Sequence, residues 1–182
     1  MKFLLSIMSL LVLQSVCLSQ RLITKDAEVR FQSKTTLENI EAVNKKGAGI
    51  INTQTGEIEF SVLMKGFEFK KALMQEHFNE NYVESDKYPK ATYKGKLLAP
   101  VRWKEDGVYK TEVEGELTLH GVTRPQKATA TVTIKNGIVS GTAGMVIVLE
   151  EYQIKVPALA RASINKSIAV LVTVASFSSI NN

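Results

Sequence analysis

The chain has 182 residues, which is the length of one domain with a substantial core, and 45% of its residues are hydrophobic. Its formal net charge is +5, and charges of both signs are mixed along the sequence, which argues against a nucleic-acid-binding protein. Cys17 is the only cysteine, so the sequence excludes an internal disulfide and a cysteine-based metal site.

The N-terminal segment is typical of a secretory signal peptide. A positively charged start leads into an apolar run over 3–16, which is too short for a comfortable transmembrane helix. The small residues Cys17 and Ser19 then stand at the two positions that a signal peptidase reads. We expect cleavage between Ser19 and Gln20, with residues 1–19 removed and a periplasmic or secreted mature protein.

Two further points bear on the compartment. Lipidation at Cys17 is an alternative to simple cleavage, but the bulky Val16 stands where that processing requires a small residue. An exported domain without disulfides must be stabilised by its core alone, which favours a bacterial envelope over an animal secretion.

Residues 20–182 are predicted to form one all-β domain. Apolar and polar side chains alternate with a period of two, as in Ile58, Phe60 and Val62 between polar neighbours, which is the pattern of an antiparallel sheet with one buried face. Turn sequences such as Asn136-Gly137 separate the runs. About eight strands are predicted, near 27–33, 38–45, 48–53 with 56–65, 90–99, 108–120, 125–135, 138–150 and 165–176.

One segment departs from this alternation. Residues 67–83 place Phe69, Leu73 and Phe78 at helical spacing with charged residues between them, which predicts a short amphipathic helix. A second irregular segment over 156–160 is predicted to be a loop or one helical turn.

Eight antiparallel strands are best closed into a barrel, because closure removes the exposed edges of an open sheet. Such a barrel is wide enough to be filled by side chains or to hold one slender ligand. Several residues predicted to face inward are small and leave volume, and either a ligand or large neighbouring side chains could occupy it. These small residues are Gly115, Ala128, Ala130, Gly141 and Ala143.

The candidates for catalysis or metal binding are few. His77 and Glu80 are spaced to share one face of the predicted helix, but two ligands rarely hold a metal, so no metal site is predicted. His120 stands on the polar side of its strand, and we expect it to be exposed. No nucleophile motif or phosphate-binding loop is present, and the sequence therefore predicts no enzyme and no cofactor.

Three segments of the sequence resemble the YceI-like family of bacterial envelope proteins. The run from His77 to Tyr93 is similar to the family's helix, Tyr-Pro turn and strand. The run from Gly115 to Pro125 resembles its hairpin pattern G-x-L-x-x-x-G-V-T-[KR]-P, and Gly56 precedes an alternating strand as in the family. The resemblance implies a lipocalin-like barrel, whose members are known as polyisoprenoid-binding or amphiphile-binding proteins.

The resemblance leads to a functional hypothesis, which is the non-catalytic carriage of a long apolar lipid such as a polyisoprenoid, quinone or fatty-acid-like amphiphile. Residues 149–157 lack the family's Arg-x-Asp-Phe-Gly-like segment, which favours a different amphiphile. Residues predicted to contact the tail, with Phe69, Leu73 and Phe78 covering one end, are Phe60, Val62, Met64, Phe69, Leu73, Phe78, Leu117, Leu119, Met145 and Ile147.

A polar headgroup needs partners at the barrel mouth. Basic residues are frequent over 65–104, and His77, Lys94 and Arg102 are the candidates to hold it; the alternative is that these residues only keep the surface soluble. The aromatic residues from Phe67 to Trp103 form either a gate over the cavity or a core plug. Peripheral membrane contact is compatible with the charge, and the sequence leaves open a monomer or a homodimer, as well as a solid-cored envelope interaction protein.

Overall fold

Nine antiparallel strands form a single sheet in the computed structural model, which describes residues 21–179. The predicted signal peptide lies outside these residues. The strands are β1 (Arg21–Lys34), β2 (Asn39–Asn52), β3 (Glu57–Leu63), β4 (Glu68–Phe69), β5 (Lys90–Leu97), β6 (Gly107–Leu119), β7 (Val122–Lys135), β8 (Ile138–Val148) and β9 (Ser167–Ser179).

The sheet closes on itself. Its order is β1-β9-β8-β7-β6-β5-β3-β2, and β1 also pairs with β2, so that eight strands form a continuous ring. The two-residue strand β4 extends the pairing of β2 at Ala42 and Val43. The predicted eight-stranded, lipocalin-like antiparallel barrel is thus confirmed.

The strand bounds differ from the prediction in one place. The predicted runs 38–45 and 48–53 belong to one strand, β2, while 57–63 forms the separate strand β3. The polar residues Lys45 and Lys46 suggest an interruption between two strands. In the structure the strand continues through them, and the β1–β2 register shifts on both sides of the pair Ala27–Gly47.

The predicted helix over 67–83 is shorter in the structure. The helix α1 covers only Ala72–His77, and a π-helical turn follows at Phe78–Tyr82. The helix begins late because Glu68–Phe69 is extended and paired with β2. Within residues 21–179, no helix has the length and apolar character needed to cross a membrane.

The connections gather at two ends of the barrel. The upper end carries the segments 35–38, 64–89, 120–121 and 149–166, and the lower end carries 53–56, 98–106 and 136–137. At the lower end, a cluster of buried side chains on β7 and β8 packs against Trp103 and its neighbours and fills the interior. The cluster consists of Val132, Ile134 and Val139, with Leu22, Val101, Trp103, Tyr109 and Phe177 against it.

Two tight hairpins have the same backbone geometry at opposite ends. Asn136-Gly137 joins β7 to β8 with φ angles of 52° and 74°, and His120-Gly121 joins β6 to β7 with φ angles of 51° and 74°. Positive φ at both central residues defines a type I′ turn, which matches the twist of the flanking strands. The hairpin predicted at Asn136-Gly137 is confirmed.

The expectation that His120 is exposed is wrong, because its side chain is only 10% accessible. Its Nδ1 lies 3.0 Å from the carbonyl oxygen of Tyr152, and its Nε2 lies 2.6 Å from Oε2 of Glu84. A carbonyl oxygen only accepts, so Nδ1 carries a proton and donates it. The left-handed backbone of the turn directs the ring back over the barrel instead of outward.

The His120 turn also receives an aromatic ring. Tyr88 packs edge-on against the His120 ring, with 4.6 Å between the ring centroids. It also lies so close to Gly121 that a Cβ there would collide with the Tyr88 ring. The Tyr-Pro segment and the β6–β7 hairpin, which are distant in sequence, therefore meet at one point of the upper end.

We expect His120→Ala to lower the free energy of unfolding by about 2–3 kcal/mol. It removes a hydrogen bond to a carboxylate and one to a carbonyl, and bonds to charged groups contribute about 1.5–3 kcal/mol. Chemical denaturation measures the loss. Hydrogen exchange should also accelerate at Glu84 and in the turn Leu149–Tyr152, which the imidazole holds.

Asn136→Ala is the matched control, because it also places an alanine at the first central residue of a type I′ turn, but at the lower end. It should cost about 1 kcal/mol from the positive φ and leave exchange at the upper end unchanged. Equal losses for the two variants would mean that the His120 side chain contributes nothing beyond turn geometry.

Candidate functional site

The upper half of the barrel encloses a cavity of about 370 Å³, which we call the upper chamber. Its wall is almost entirely apolar. Nine of the ten residues predicted to contact a tail line it, while their contact with a lipid stays a prediction. These nine are Phe60, Val62, Met64, Phe69, Phe78, Leu117, Leu119, Met145 and Ile147.

Leu73 is the exception, since 60% of its surface is exposed and it does not line the chamber. On α1, Met74 and His77 face the chamber together with Phe78, which follows the helix. At about 100° per residue, Leu73 is rotated by about 140° from Phe78. Two side chains separated by this angle cannot both face the chamber, so Leu73 points to solvent and does not cover the chamber.

A cluster of four phenylalanines joins the α1 region to the barrel wall. Phe31 of β1 contacts Phe67, Phe69 and Phe78, with ring centroids 5.3, 5.7 and 5.4 Å away. Phe78 also packs against Phe67 at 5.7 Å and Phe69 at 5.1 Å. These rings line the chamber on one side, so the segment that covers it is attached by the same side chains that form its wall.

The three candidate headgroup residues do not lie together. Only His77 lines the upper chamber. Lys94 lies on the outer face of β5, because its neighbour Tyr93 faces inward, and its Nζ is 3.5 Å from Glu59. Arg102 belongs to the segment 98–106 at the lower end, where it pairs with Glu105 at 2.8 Å. The predicted set therefore does not form a headgroup site.

The polar groups at the chamber mouth come from other segments. Ser33, Glu38, His77 and Ser163 contribute to the lining there. Glu38 is also paired with Lys71 at 3.2 Å. This rim offers hydroxyl, carboxylate and imidazole groups to a polar head. Among residues 21–179, no three histidine, cysteine or acidic side chains lie close enough together to hold a metal ion.

The small inward residues do not surround the upper chamber. Ala128, Ala130, Gly141 and Ala143 line a second, smaller cavity of about 90 Å³, which we call the lower chamber. Gly115 lies where β5 and β6 approach so closely that a Cβ would collide with the backbone of Lys94. These small residues therefore do not create the upper chamber, and the space beside them in the lower half is small.

Tyr93 carries a hydroxyl group into the barrel interior, where the residue is only 6% exposed. Its hydroxyl donates to the carbonyl oxygen of Gln126 at 2.9 Å. Burial raises the pKa of Tyr93 to about 12, so the hydroxyl keeps its proton and remains a donor well above neutral pH. The ring thereby lies over Gly95 of its own strand, and its hydroxyl reaches past β6 to β7.

Sequence reasoning missed several wall residues, among them Phe31 and Val29 on β1 and Val170 and Val172 on β9. Both strands show the period-two alternation that identifies an inward face, so that signal could have found them. The aromatic stretch from Phe67 to Trp103 is split by the fold. The phenylalanines lie at the upper end, and Trp103 packs at the lower end.

The segment that departs from the family pattern also contributes to the chamber. Leu149 and Ile154 line it, and Tyr152 between them is fully buried. Gln153 has a φ of 58° and ends the turn Leu149–Tyr152, which turns the chain back across the upper end. The departure therefore falls on residues that shape the cavity.

Solved structures share this barrel at low sequence identity. A polyisoprenoid-binding domain from Saccharophagus degradans matches with a TM-score of 0.70 and 16% identity, covering 90% of this chain and 99% of its own. BcnA of Burkholderia cenocepacia matches with a TM-score of 0.69 and 16% identity, over 84% of this chain and 96% of its own. A YceI protein of Campylobacter jejuni matches with a TM-score of 0.63 and 12% identity, over 82% and 90%.

Comparison with curated protein sequences found no significant match. The family model of the YceI-like domain, in contrast, matches residues 21–176, which include all eight wall strands except the last three residues of β9. The resemblance inferred from the motifs is confirmed, and the chain is a member of the YceI-like domain family.

Proposed function

We propose that this protein binds the apolar tail of an amphiphilic lipid in the upper chamber and carries it without catalysing a reaction. The observation that supports this function is a chamber of about 370 Å³ whose wall is predominantly apolar, with a few polar groups in the wall and at the rim. Ligand sites are commonly of this size and are lined by apolar residues with a few polar groups that orient the ligand. No cofactor is part of the proposal.

The family relationship and the N-terminal sequence support the same function. A structurally similar domain is described as polyisoprenoid-binding, which makes an isoprenoid, a quinone or a fatty-acid-like lipid the first candidates. The charged start and the apolar run over 3–16 support export to the periplasm or the cell exterior. In an aqueous envelope compartment, burial of a tail contributes about 0.8 kcal/mol per methylene group.

The alternative hypothesis is an interaction protein with a solid core, and it fits only the lower half of the barrel. Below Phe60 and Tyr93, side chains fill most of the interior and leave about 90 Å³. Above them the interior is open. A packed lower half and an open upper half together favour a binding protein whose lower half serves as a rigid base.

Native mass spectrometry of protein purified from its own host, followed by lipid extraction, tests this proposal. We expect a bound amphiphile in the wild type. Ala91 lines the upper chamber, so Ala91→Phe should fill space there and reduce the bound fraction at least tenfold. The added ring enters a cavity instead of a packed core, so stability should change by less than about 1.5 kcal/mol.

Ala169→Phe is the control, because Ala169 lies exposed on the outer face of β9. It adds the same atoms and should leave lipid binding unchanged. Ligand-free wild-type protein, both as purified and after incubation with host lipids, would contradict carriage.

We also infer that the upper end docks on a membrane surface while lipid enters or leaves. Three leucines in three separate segments of this end are exposed to solvent: Leu37 at 69%, Leu73 at 60% and Leu159 at 100%. Each is close in sequence to a residue that lines the chamber, such as Glu38, Met74 or Ala160. Exposed apolar residues around a cavity mouth are expected where a protein meets a lipid surface.

Hydrogen bonds hold the three segments together around the mouth. Lys71, just before α1, pairs with Glu38 beside Leu37 at 3.2 Å. Asn165, in the segment that carries Leu159, donates its backbone N–H to Oγ of Ser33 at 2.8 Å. The leucines therefore belong to one ordered rim.

The charge of the upper end is balanced, so the exposed leucines and not a basic patch carry this inference. Residues 35–38, 64–89, 120–121 and 149–166 contain seven basic and eight acidic residues. The basic residues are Lys65, Lys70, Lys71, Lys87, Lys155, Arg161 and Lys166, and the acidic residues are Glu38, Glu68, Glu76, Glu80, Glu84, Asp86, Glu150 and Glu151.

Replacing Leu37, Leu73 and Leu159 together with serine should slow lipid transfer to vesicles that contain phosphatidylglycerol by about tenfold. The reason is that the variant lacks three apolar side chains that would move from water into the membrane interface on docking. Transfer of a fluorescent fatty acid from loaded protein measures the rate.

A matched control replaces three exposed apolar residues near the lower end, Leu98, Val108 and Ile138, with serine. This variant should transfer lipid at the wild-type rate. If the two triple variants behave alike, the upper end has no special role in docking, while carriage by the chamber would still stand.

A further inference from the structure

The interior of the barrel is divided into two compartments by four side chains. Phe60, Tyr93, Met145 and Val172 each line both the upper and the lower chamber. Phe60 and Tyr93 are direct cross-strand partners on β3 and β5. Met145 on β8 and Val172 on β9 come from strands that lie three or four positions away around the ring of eight, on the opposite wall. The four residues thus form a floor beneath the upper chamber.

The walls make room for the two rings of this floor. Phe60 lies against Gly49 of β2, its cross-strand partner, where a Cβ would overlap the ring. Tyr93 lies over Gly95, where a Cβ would come within 2.8 Å of its Cε1. Any larger residue at either glycine would displace its ring, so the sequence provides the space that both rings occupy.

The floor is also fixed in place. Tyr93 is held by its hydrogen bond to the carbonyl oxygen of Gln126 at 2.9 Å. Phe60 packs edge-on against Phe177 of β9, with 6.4 Å between ring centroids. Tyr93 is tied to β7 and Phe60 contacts β9, so each ring is held by a strand that is not a direct neighbour of its own.

We propose that this floor limits the ligand to a single apolar tail with on the order of a dozen carbon atoms. The limit follows from volume, since a chain carbon occupies about as much space as a water molecule in the liquid, roughly 30 Å³, and the upper chamber holds about 370 Å³. A tail of this length, such as a medium-chain acyl group or two to three isoprene units, ends against Phe60 and Tyr93. The inference rests on the proposed function and narrows its substrate class.

Affinities for a homologous series of saturated fatty acids and for linear prenyl alcohols of increasing length test the limit. Each added methylene should tighten binding roughly fourfold while it enters the chamber. The gain should stop at about a dozen carbons, where the volume is used up. Displacement of a fluorescent fatty acid from full-length mature protein measures both series.

Phe60→Ala should join the two chambers. The lower chamber holds about 90 Å³, which accommodates about three more carbons in addition to those that replace the ring. The length at which affinity stops rising should therefore increase by several carbons. Met145→Ala removes the opposite side of the floor and should act in the same direction, so it serves if Phe60→Ala folds poorly.

Leu119→Ala is the matched control, because Leu119 lines only the upper chamber. It enlarges that chamber without touching the floor and should extend the limit by no more than about the three carbons that the substitution removes. Wild-type affinity that keeps rising well beyond a dozen carbons would overturn the floor but leave carriage intact. Failure of every fatty acid and prenol to bind at any length would overturn the proposed function together with this inference.

Discussion

The width of the eight-stranded ring determines what this protein can contain. A closed barrel of eight strands is just wide enough either to be filled by its own side chains or to hold one slender molecule, so the two compete for the same axis. In the lower half the side chains occupy the axis, and the rings of Phe60 and Tyr93 mark the boundary. Above that boundary the wall residues leave the axis open. The lower half of the barrel is therefore packed, and the upper half of the same sheet encloses the cavity.

The cover of the open half depends on a small number of long-range contacts. Phe31 attaches the α1 region to β1 through three other phenylalanines, and His120 ties the following segment to the turn that ends at Tyr152. The phenylalanines face both the cover and the cavity. A bound tail would contact the same rings, so occupancy and the stability of the cover are linked by mass action.

The fold could be predicted from the sequence to a large extent, because period-two alternation directly reports which face of a strand is buried. The site could be predicted only in part. Phe60 and Leu117 follow from alternation, whereas Leu73 required the phase of a helix that turned out to be only six residues long. Lys94 and Arg102 do not reach the chamber mouth, because Lys94 lies on the outer face of β5 and Arg102 lies at the lower end. The basic character of a segment does not reveal which end of the barrel a connection occupies. The outward expectation for His120 failed because a left-handed turn residue does not continue the alternation of its strand.

The pairing of β1 with β9 has a consequence for how the molecule is made. These are the first and last strands of the described chain, and residues such as Phe31 and Val170 meet across more than a hundred intervening positions. A polypeptide that emerges with its N-terminus first cannot complete the ring until its final segment has appeared. Until then β1 has an unpaired edge, and the apolar interior is exposed to solvent between β1 and β8. Such a chain has to be protected during synthesis, and loss of β9 would remove the strand that closes the barrel.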